Sequence, residues 1–384
     1  MTAHMKRLAG CALVLATCVG AAFGEAPVKQ QPKPQVEVVF CLDTTGSMGG
    51  LIDAAKQKIW TIANQIASGK PTPRLKVGLV AYRDRGDQYV TRIFDLTDDL
   101  DAVYGHLMEF RADGGGDLPE SVNQALYESV TKINWSADKQ TLKIIFLVGD
   151  APPHLDYAHD VPYPETCRRA LEKRIIINTV QCGSLAQTRD VWETICRLAE
   201  GRYVQIDAQG GPIVTVSTPY DGELAKINSE LARSTLTYGA RRAEGRAKAA
   251  AASALPAPAA AERVAFKSKM GETSSDDLLD DIKAGKVTLE AVSKDVLPEE
   301  LKGLSQEQQR AFLTKLDQRR QTLMKQAGQL DQKRGAFITK KLAETQKNAA
   351  RDSFDGQVLH ILQAQARRAN IQYAPDENKP DEKK

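Results

Sequence analysis

The stretch from residue 36 to residue 206 alternates short apolar, β-branched runs with segments of helical periodicity. Residues 36–42 and 142–148 are apolar at nearly every position, which is typical of strands that are buried on both faces of a sheet. The intervening segments carry apolar residues on one side, as helices that cover a sheet do. The alternation therefore predicts an α/β fold with a doubly wound, mostly parallel sheet.

The predicted elements of this stretch follow one another in a regular order. The predicted strands are residues 36–42, 75–82, 91–94, 142–148, 175–181 and 203–206, and the predicted helices are residues 51–66, 100–110, 120–133, 164–174, 191–200 and 219–236. An open sheet of this kind binds its ligands beyond the carboxyl ends of its strands. We therefore expect the functional residues in the loops that follow the strands.

The first 24 residues are typical of a secretory signal peptide. Two basic residues precede an apolar run at 8–20, which is too short to span a bilayer, and small residues precede position 25. We expect an exported protein, periplasmic or secreted, in an environment that permits disulfides. An uncleaved N-terminal anchor and lipid attachment at Cys11 or Cys18 are the alternatives.

The remaining chain divides by composition into five predicted parts. They are a Pro-rich tether at 25–34, the α/β domain at 35–239, an Ala-rich linker at 240–272, an α-helical region at 273–373 and a charged tail at 374–384. No part after the signal approaches 18 consecutive apolar residues, so no transmembrane anchor is expected. The formal net charge of +3 gives no reason to expect a nucleic-acid or membrane-surface partner.

The helical region carries a half-filled heptad pattern. Apolar residues recur every seven positions at Leu316, Leu323, Leu330 and Phe337, whereas the partner positions of the heptad are mostly not apolar. A helical hairpin and self-association through a coiled coil are both open interpretations of this pattern.

Three loops that follow predicted strands carry oxygen ligands. Asp43, Thr45 and Ser47 alternate after the first strand, so a turn can direct all three side chains to one point. Asp117 lies in a Gly-rich loop at residues 113–120, and Asp150 follows the apolar strand at 142–148. Carboxylates and hydroxyls are hard ligands, which predicts one divalent cation, Mg²⁺, Ca²⁺ or Mn²⁺.

These motifs resemble the von Willebrand factor type A domain and its metal-ion-dependent adhesion site. The family motif D-x-S-x-S is matched by Asp43, Thr45 and Ser47, with Thr in place of the first Ser. Asp150 matches the Asp of the third loop, whereas Asp117 stands where the family has a Thr. The Gly-Gly-Gly-Asp-x-Pro-Glu run resembles the hemicentin-like and alpha-kinase-associated branch, and the resemblance covers about residues 34–239.

The resemblance implies a Rossmann-like fold and metal-dependent binding of a protein partner that presents a carboxylate, without catalysis. Asp113, Gly115, Gly116 and His154 are expected to form a rim that shapes the partner's access. A second metal site around His154 and His159 is the alternative to that rim. Three carboxylates are expected to favour Ca²⁺ or Mn²⁺ over Mg²⁺ more than a Thr-containing site does.

Two other functional classes remain as alternatives. The helical region could make the essential contacts of a scaffolding protein, with the metal site acting only as a stabiliser. A strand that ends in Asp43, with a later Gly149-Asp150 pair, also suggests a haloacid-dehalogenase-type phosphatase. That chemistry normally needs an acid two residues after the nucleophile, and position 45 is Thr. The charged loop at 83–87 is expected to be solvated.

Four cysteines lie outside the predicted signal. Cys41 lies within the first strand and is expected to be a buried thiol. Cys167 lies near the start of a helix that runs down from the ligand end of the sheet, and Cys182 ends the strand that runs back up. Chain geometry therefore favours a Cys167–Cys182 disulfide, which would contribute about 3 kcal/mol in the chain-entropy model.

Overall fold

A mixed six-stranded sheet forms the centre of the molecule. The computed structural model describes residues 33–211, 215–345 and 352–373. The strands are β1 (Gln35–Asp43), β2 (Arg74–Tyr82), β3 (Thr91–Thr97), β4 (Leu142–Gly149), β5 (Ile175–Cys182) and β6 (Tyr203–Ile206). Their order is β3-β2-β1-β4-β5-β6, and only β3 runs antiparallel to its neighbour within this sheet. The predicted α/β fold with a mostly parallel sheet is confirmed.

Helices cover both faces of the sheet because the side chains of a strand alternate between the faces. The helices of this part are α1 (Gly49–Ala67), α2 (Leu100–Glu109), α3 (Val122–Thr131), α4 (Tyr163–Glu172), α5 (Ala186–Leu198) and α6 (Asp221–Arg233). Val38 and Phe40 of β1 pack with α1 and α2, whereas Val39 and Cys41 pack with α3, α4 and α5. Each predicted element is present, with ends that differ by at most five residues.

The interpretation of residues 240–272 as a linker is wrong. This stretch forms α7 (Arg242–Ser253) and α8 (Ala257–Met270), and α8 is packed between α1, α6 and the long helix that follows. Ala260, Ala261 and Ala265 are completely or almost completely buried. Their small side chains let neighbouring helices approach closely, so burial here does not require the large apolar stripe on which the sequence argument relied.

The heptad residues of the C-terminal region pack inside the chain. The remaining helices are α9 (Leu278–Lys283), α10 (Gln306–Thr345) and α11 (Phe354–Ala366). Leu323 of α10 packs against α6 and α8. At polar heptad positions, buried Arg320 pairs with Asp277 at 2.7 Å and buried Arg334 pairs with Glu262 at 2.6 Å. Internal ion pairs therefore replace the missing apolar partners, and self-association remains a prediction.

The last helix belongs to the core of the α/β domain, which corrects the predicted separate helical region at 273–373. Val358, Ile361 and Leu362 of α11 are fully buried in the same core as α1. The Phe354 ring lies 6.3 Å from the ring of Phe40 on β1. The amide groups of Gln365 and of Asn178, which lies on β5, also exchange two hydrogen bonds of 3.1 and 2.8 Å.

The predicted Cys167–Cys182 disulfide is wrong. Both residues are free, buried cysteines. Cys167 lies in the core on the side of α3, α4 and α5, whereas Cys182 lies in the core on the side of α1. Strand parity directs the Cys182 side chain to the face that α4 does not cover. Cys41 is a buried thiol as predicted, and burial raises its pKa to about 12.

Several expectations fall on residues outside the described part. The predicted signal at 1–24, most of the tether at 25–34 and the charged tail at 374–384 lie there. Within the described ranges, no helix has both the length and the apolar character that crossing a membrane requires.

Candidate metal centre

The loop after β1 brings the three residues of the first motif together. Asp43 is fully buried, and its Oδ1 accepts hydrogen bonds from the backbone N–H of Thr45 at 2.9 Å and from the Thr45 hydroxyl at 2.7 Å. The Thr45 hydroxyl lies 3.4 Å from that of Ser47. Asp43 Oδ2 is buried without a hydrogen-bond partner. The first motif therefore presents one oriented carboxylate with a free oxygen, next to two hydroxyls.

Asp150 reaches the same place from the end of β4, which lies beside β1. The approach depends on Gly149, because a Cβ at this position would lie 2.4 Å from the Tyr82 hydroxyl oxygen and 3.0 Å from Asp43 Oδ2. Asp150 is half-buried and contributes to raising the pKa of Asp43. Asp150 therefore lies close enough to act electrostatically on Asp43 at the carboxyl edge of the sheet.

Glycines fold the second loop tightly against the first. Gly114 has φ +75°, and a Cβ there would lie only 2.3 Å from Asp87 Oδ1, so another residue would be strained and would displace the Asp87 carboxylate. Gly46 N–H donates to the Gly114 carbonyl at 3.1 Å, and Gly115 N–H donates to Asp87 at 3.0 Å. This glycine-dependent turn decides which acidic residue of the loop faces the first motif.

The residue that faces the first motif is Glu120, whereas Asp117 points elsewhere. Asp117 Oδ2 lies 3.8 Å from His154 Nε2, and its side chain is 67% exposed. Glu120 is buried, its Oε2 has no partner, and a Cβ on Gly115 would lie 3.2 Å from both Glu120 Oε1 and Thr45 Cβ. The predicted grouping of Asp117 with the first motif therefore differs from the observed arrangement, in which Glu120 takes that place.

Glu120 also joins the second and third loops. Its backbone N–H donates to the Pro152 carbonyl, and its carbonyl accepts from His154 N–H, both at 3.0 Å. This two-bond bridge holds the loop that follows β4 against the start of α3. Sequence reasoning missed Glu120 because it is the first residue of a predicted helix, where an acidic residue has an ordinary capping or helix-dipole role.

The electrostatics of these carboxylates favour a bound cation. Burial is the main cause that raises the pKa of Asp43 to about 7 and that of Glu120 to about 9. Asp43 and Asp150 add to the increase at Glu120. Unpartnered buried oxygens on two carboxylates, beside two hydroxyls, are the donor set that a hard divalent cation requires. We call Asp43, Thr45, Ser47, Glu120 and Asp150 the carboxylate site.

The loop after β2 supports the site, although sequence analysis treated it as solvated. Arg83 is buried and donates to the carbonyls of Thr44 at 3.1 Å and of Arg111 at 2.8 Å. Asp84 is also buried, and Asp87 holds the glycine loop as described above. A usable signal was present, since β2 neighbours β1 and its carboxyl end must lie beside the first motif.

The residues predicted to form the rim differ in their exposure to solvent. Asp113, Gly115 and Gly116 are exposed. His154 lies beneath the surface, and its side chain is only 7% exposed. Two apolar side chains missed by the sequence analysis stand on the same loops. Leu118 is 50% exposed and Leu155 is 74% exposed.

Part of the chain is similar in sequence to known proteins. The family model of the von Willebrand factor A domain matches residues 37–216. The "von Willebrand factor A domain-containing protein 7" of Mus musculus is 40% identical over 120 residues, which are 31% of this chain and 12% of that protein. The Rattus norvegicus protein of the same name is 29% identical over 198 residues, 51% of this chain and 21% of that protein. The chain therefore spans about a fifth or less of these relatives.

Solved structures resemble the α/β part of the chain. The VWA domain of SpRpn10 is 15% identical, with a TM-score of 0.35 over 46% of this chain and 89% of that one. Proximal thread matrix protein 1 from the mussel byssus, solved with a zinc-occupied MIDAS motif, is 13% identical, with a TM-score of 0.36 over 45% of this chain and 42% of that one.

Proposed function

We propose that this protein, whose residues 37–216 form a von Willebrand factor A domain, captures an acidic group of a partner protein through a divalent cation. Such domains generally mediate protein–protein interaction. The observation that carries the proposal is the pair of buried, unpartnered oxygens Asp43 Oδ2 and Glu120 Oε2 at the carboxyl edge of the sheet. Leaving both uncompensated in a folded protein is costly, and a cation removes that cost.

The chain's own residues would hold and orient the cation. Asp43, Glu120 and Asp150 supply negative charge, and Thr45 and Ser47 supply neutral hydroxyl oxygens. Thr45 fixes one Asp43 oxygen by two hydrogen bonds, which leaves the other free to act as a ligand. When bound, the cation would supply the positive charge that attracts a partner carboxylate. Leu118 and Leu155 would add apolar contact beside that charge.

We further propose that the site binds without catalysing a reaction. Aspartyl phosphatase chemistry needs a general acid near its nucleophile. The residue two positions after Asp43 is Thr45, and its hydroxyl donates to Asp43. We expect no phosphatase activity with Mg²⁺, and equal background rates for the wild type and Asp43→Asn check this expectation.

We also propose export to the periplasm or the outside of the cell. The support is the sequence pattern of residues 1–24, with its basic start, short apolar run and small residues before position 25. Cell fractionation and N-terminal sequencing of the mature protein test this part. A mature chain that starts at Glu25 is the expected result, and an intact cytoplasmic Met1 contradicts it.

Partner capture tests the main proposal. The immobilised full chain should retain an envelope or extracellular protein in Ca²⁺ or Mg²⁺ and release it in chelator, and Asp43→Ala should retain none. Asp295→Ala is a matched control, because Asp295 is an exposed aspartate outside residues 37–216, the part of the chain that carries the site. Equal capture by Asp43→Ala in the presence of metal contradicts the proposal. Deletion of residues 273–384 is unsuitable here, since it removes α11 from the core.

A further inference from the structure

A second cluster of potential metal ligands lies outside the carboxylate site. One ligand atom each from Asp84, Asp117 and His154 lies within 4.8 Å of the other two. Among the described residues, this is the one group of three or more acidic, histidine or cysteine side chains that meets this condition. Asp117 and His154 come from the second and third loops, and Asp84 comes from the loop after β2.

His154 points a buried, unpartnered nitrogen into this cluster. Its Nε2 lies 3.3 Å from Asp84 Oδ2 and 3.8 Å from Asp117 Oδ2, and it makes no hydrogen bond with acceptable geometry. The side chain is only 7% exposed. A buried nitrogen that faces two carboxylate oxygens needs a positive charge between them, supplied by a proton or by a metal ion.

The other nitrogen of the ring is already committed. His154 Nδ1 lies 2.8 Å from Asp156 Oδ1, and this hydrogen bond lowers the pKa of Asp156. An ionised carboxylate can only accept, so Nδ1 donates in this hydrogen bond and Nε2 is the ring nitrogen that can bind a metal ion. A carboxylate that fixes the histidine tautomer in this way is the usual outer partner of a metal-binding imidazole.

Two hydroxyl groups orient Asp84 within this cluster. The Ser121 hydroxyl donates to Asp84 Oδ1 and the Tyr157 hydroxyl donates to Asp84 Oδ2, both at 2.8 Å. The Tyr157 ring stacks on His154 at 4.0 Å. The guanidinium of Arg85 lies over the ring of Tyr157, and it pairs with the Asp160 carboxylate at 2.6 Å.

We propose that Asp84, Asp117 and His154 form a second metal site, the histidine site, that prefers a transition-metal ion of the Zn²⁺ type. Two donor atoms bound to one tetrahedral Zn²⁺ lie about 3.4 Å apart, given bond lengths of about 2.1 Å. The distances of 3.3 and 3.8 Å from Nε2 are close to that separation. One imidazole with two carboxylates suits Zn²⁺ better than Ca²⁺ or Mg²⁺.

Because Asp117 is exposed, an ion can reach the cluster from solvent, and a substitution of Asp117 should leave the folded core intact. Zinc binding is best measured by equilibrium dialysis of the full chain in an Asp43→Asn background, which disables the carboxylate site. One Zn²⁺ per chain should remain bound. Adding His154→Gln or Asp117→Asn should weaken zinc binding by at least tenfold. Asp295→Asn is the matched control, an exposed aspartate that lies outside the cluster and outside residues 37–216, and it should change nothing.

X-ray absorption at the zinc edge measures directly whether an imidazole binds the ion. A purely structural role of His154 would not change this number of imidazole ligands. The Asp43→Asn protein should show one imidazole ligand, and the His154→Gln variant should show none. Zinc affinity within twofold of the parent in both His154→Gln and Asp117→Asn would overturn the proposal and leave His154 as a protonated ion-pair residue. The proposed function is tested by Ca²⁺ binding that depends on Asp43, and the histidine site is tested by zinc binding that depends on His154. A negative result for either site therefore does not contradict the proposal for the other.

Discussion

Replacing Glu120 by Gln should stabilise the ion-free protein and weaken its response to cations. Glu120 is buried, and its pKa is raised from 4.5 to about 9. At pH 8 the folded chain therefore keeps a proton on this carboxyl that the unfolded chain has released. The chain must therefore bind a proton when it folds. This costs about 1.4 kcal/mol for each pH unit above the pKa of the carboxyl in the unfolded chain.

The sign and size of the effect follow from these two values. A carboxyl group whose pKa is higher in the folded state stabilises the protein most at pH values below its unfolded-state pKa. This stabilisation is lost as the pH rises through the folded-state pKa. At pH 8 the proton uptake amounts to roughly 5 kcal/mol as a ceiling. Relaxation and water entry reduce the cost of an unsatisfied buried group to about 1–3 kcal/mol, which is the expected gain for Glu120→Gln in chelator.

Urea unfolding in chelator and in Ca²⁺, at pH 5 and pH 8, measures this effect. The gain should nearly vanish at pH 5, where the proton costs little, and Ca²⁺ should stabilise the wild type more than Glu120→Gln. Glu193→Gln on the exposed side of α5 is the control, and it should leave both quantities unchanged. A variant that is less stable than the wild type in chelator at pH 8, or that gains as much from Ca²⁺, would refute the assignment of Glu120 to the site.

Three further outcomes are expected. Ca²⁺ affinity should increase from pH 6 to pH 9, because Asp43 and Glu120 have pKa values raised to about 7 and about 9 and must ionise to bind the ion. Calorimetry in buffers of different ionisation enthalpy should detect the released protons. Phe354→Ala should lower the free energy of unfolding by about 3–5 kcal/mol in chemical denaturation, since this side chain is buried against β1, and a loss below 1 kcal/mol would place α11 outside the core. Leu155→Ser should weaken partner capture while the melting temperature stays unchanged, because the side chain is 74% exposed; full capture would exclude this leucine from the contact surface.

The sheet and the first motif could be predicted because their signals are local. Apolar runs such as those of β1 and β4 indicate buried strands by themselves. The position of Asp43 and Asp150 then follows from the rule that neighbouring parallel strands bring their carboxyl ends together. Each of these inferences needs only a few consecutive residues.

The choice between Asp117 and Glu120 could not be made from the sequence. The two acids are three residues apart in one Gly-rich loop. Their directions depend on the left-handed turn at Gly114 and on its contact with Asp87, a residue of another loop. Such a long-range backbone contact leaves no periodic pattern behind.

The packing of the C-terminal region was missed for a similar reason. Five of the fourteen residues of α8 are alanines, so its burial gives no strong amphipathic signal. The half-filled heptad left a helical hairpin and self-association open, whereas Arg320 and Arg334 are buried in ion pairs with acids more than forty residues away. α11 joins the core of β1 across some three hundred residues of chain. Only tertiary structure could reveal these partners.

Calorimetric titration of the full chain with Ca²⁺ and with Mg²⁺ tests the central claim most directly. The account predicts one bound ion per wild-type chain, tighter for Ca²⁺, with binding lost in Asp43→Ala and retained in His154→Gln. Asp43→Ala should still show the circular dichroism of a folded protein, because Asp43 lies at the end of β1. An unchanged stoichiometry and affinity in folded Asp43→Ala would contradict the assignment of the ion to the carboxylate site.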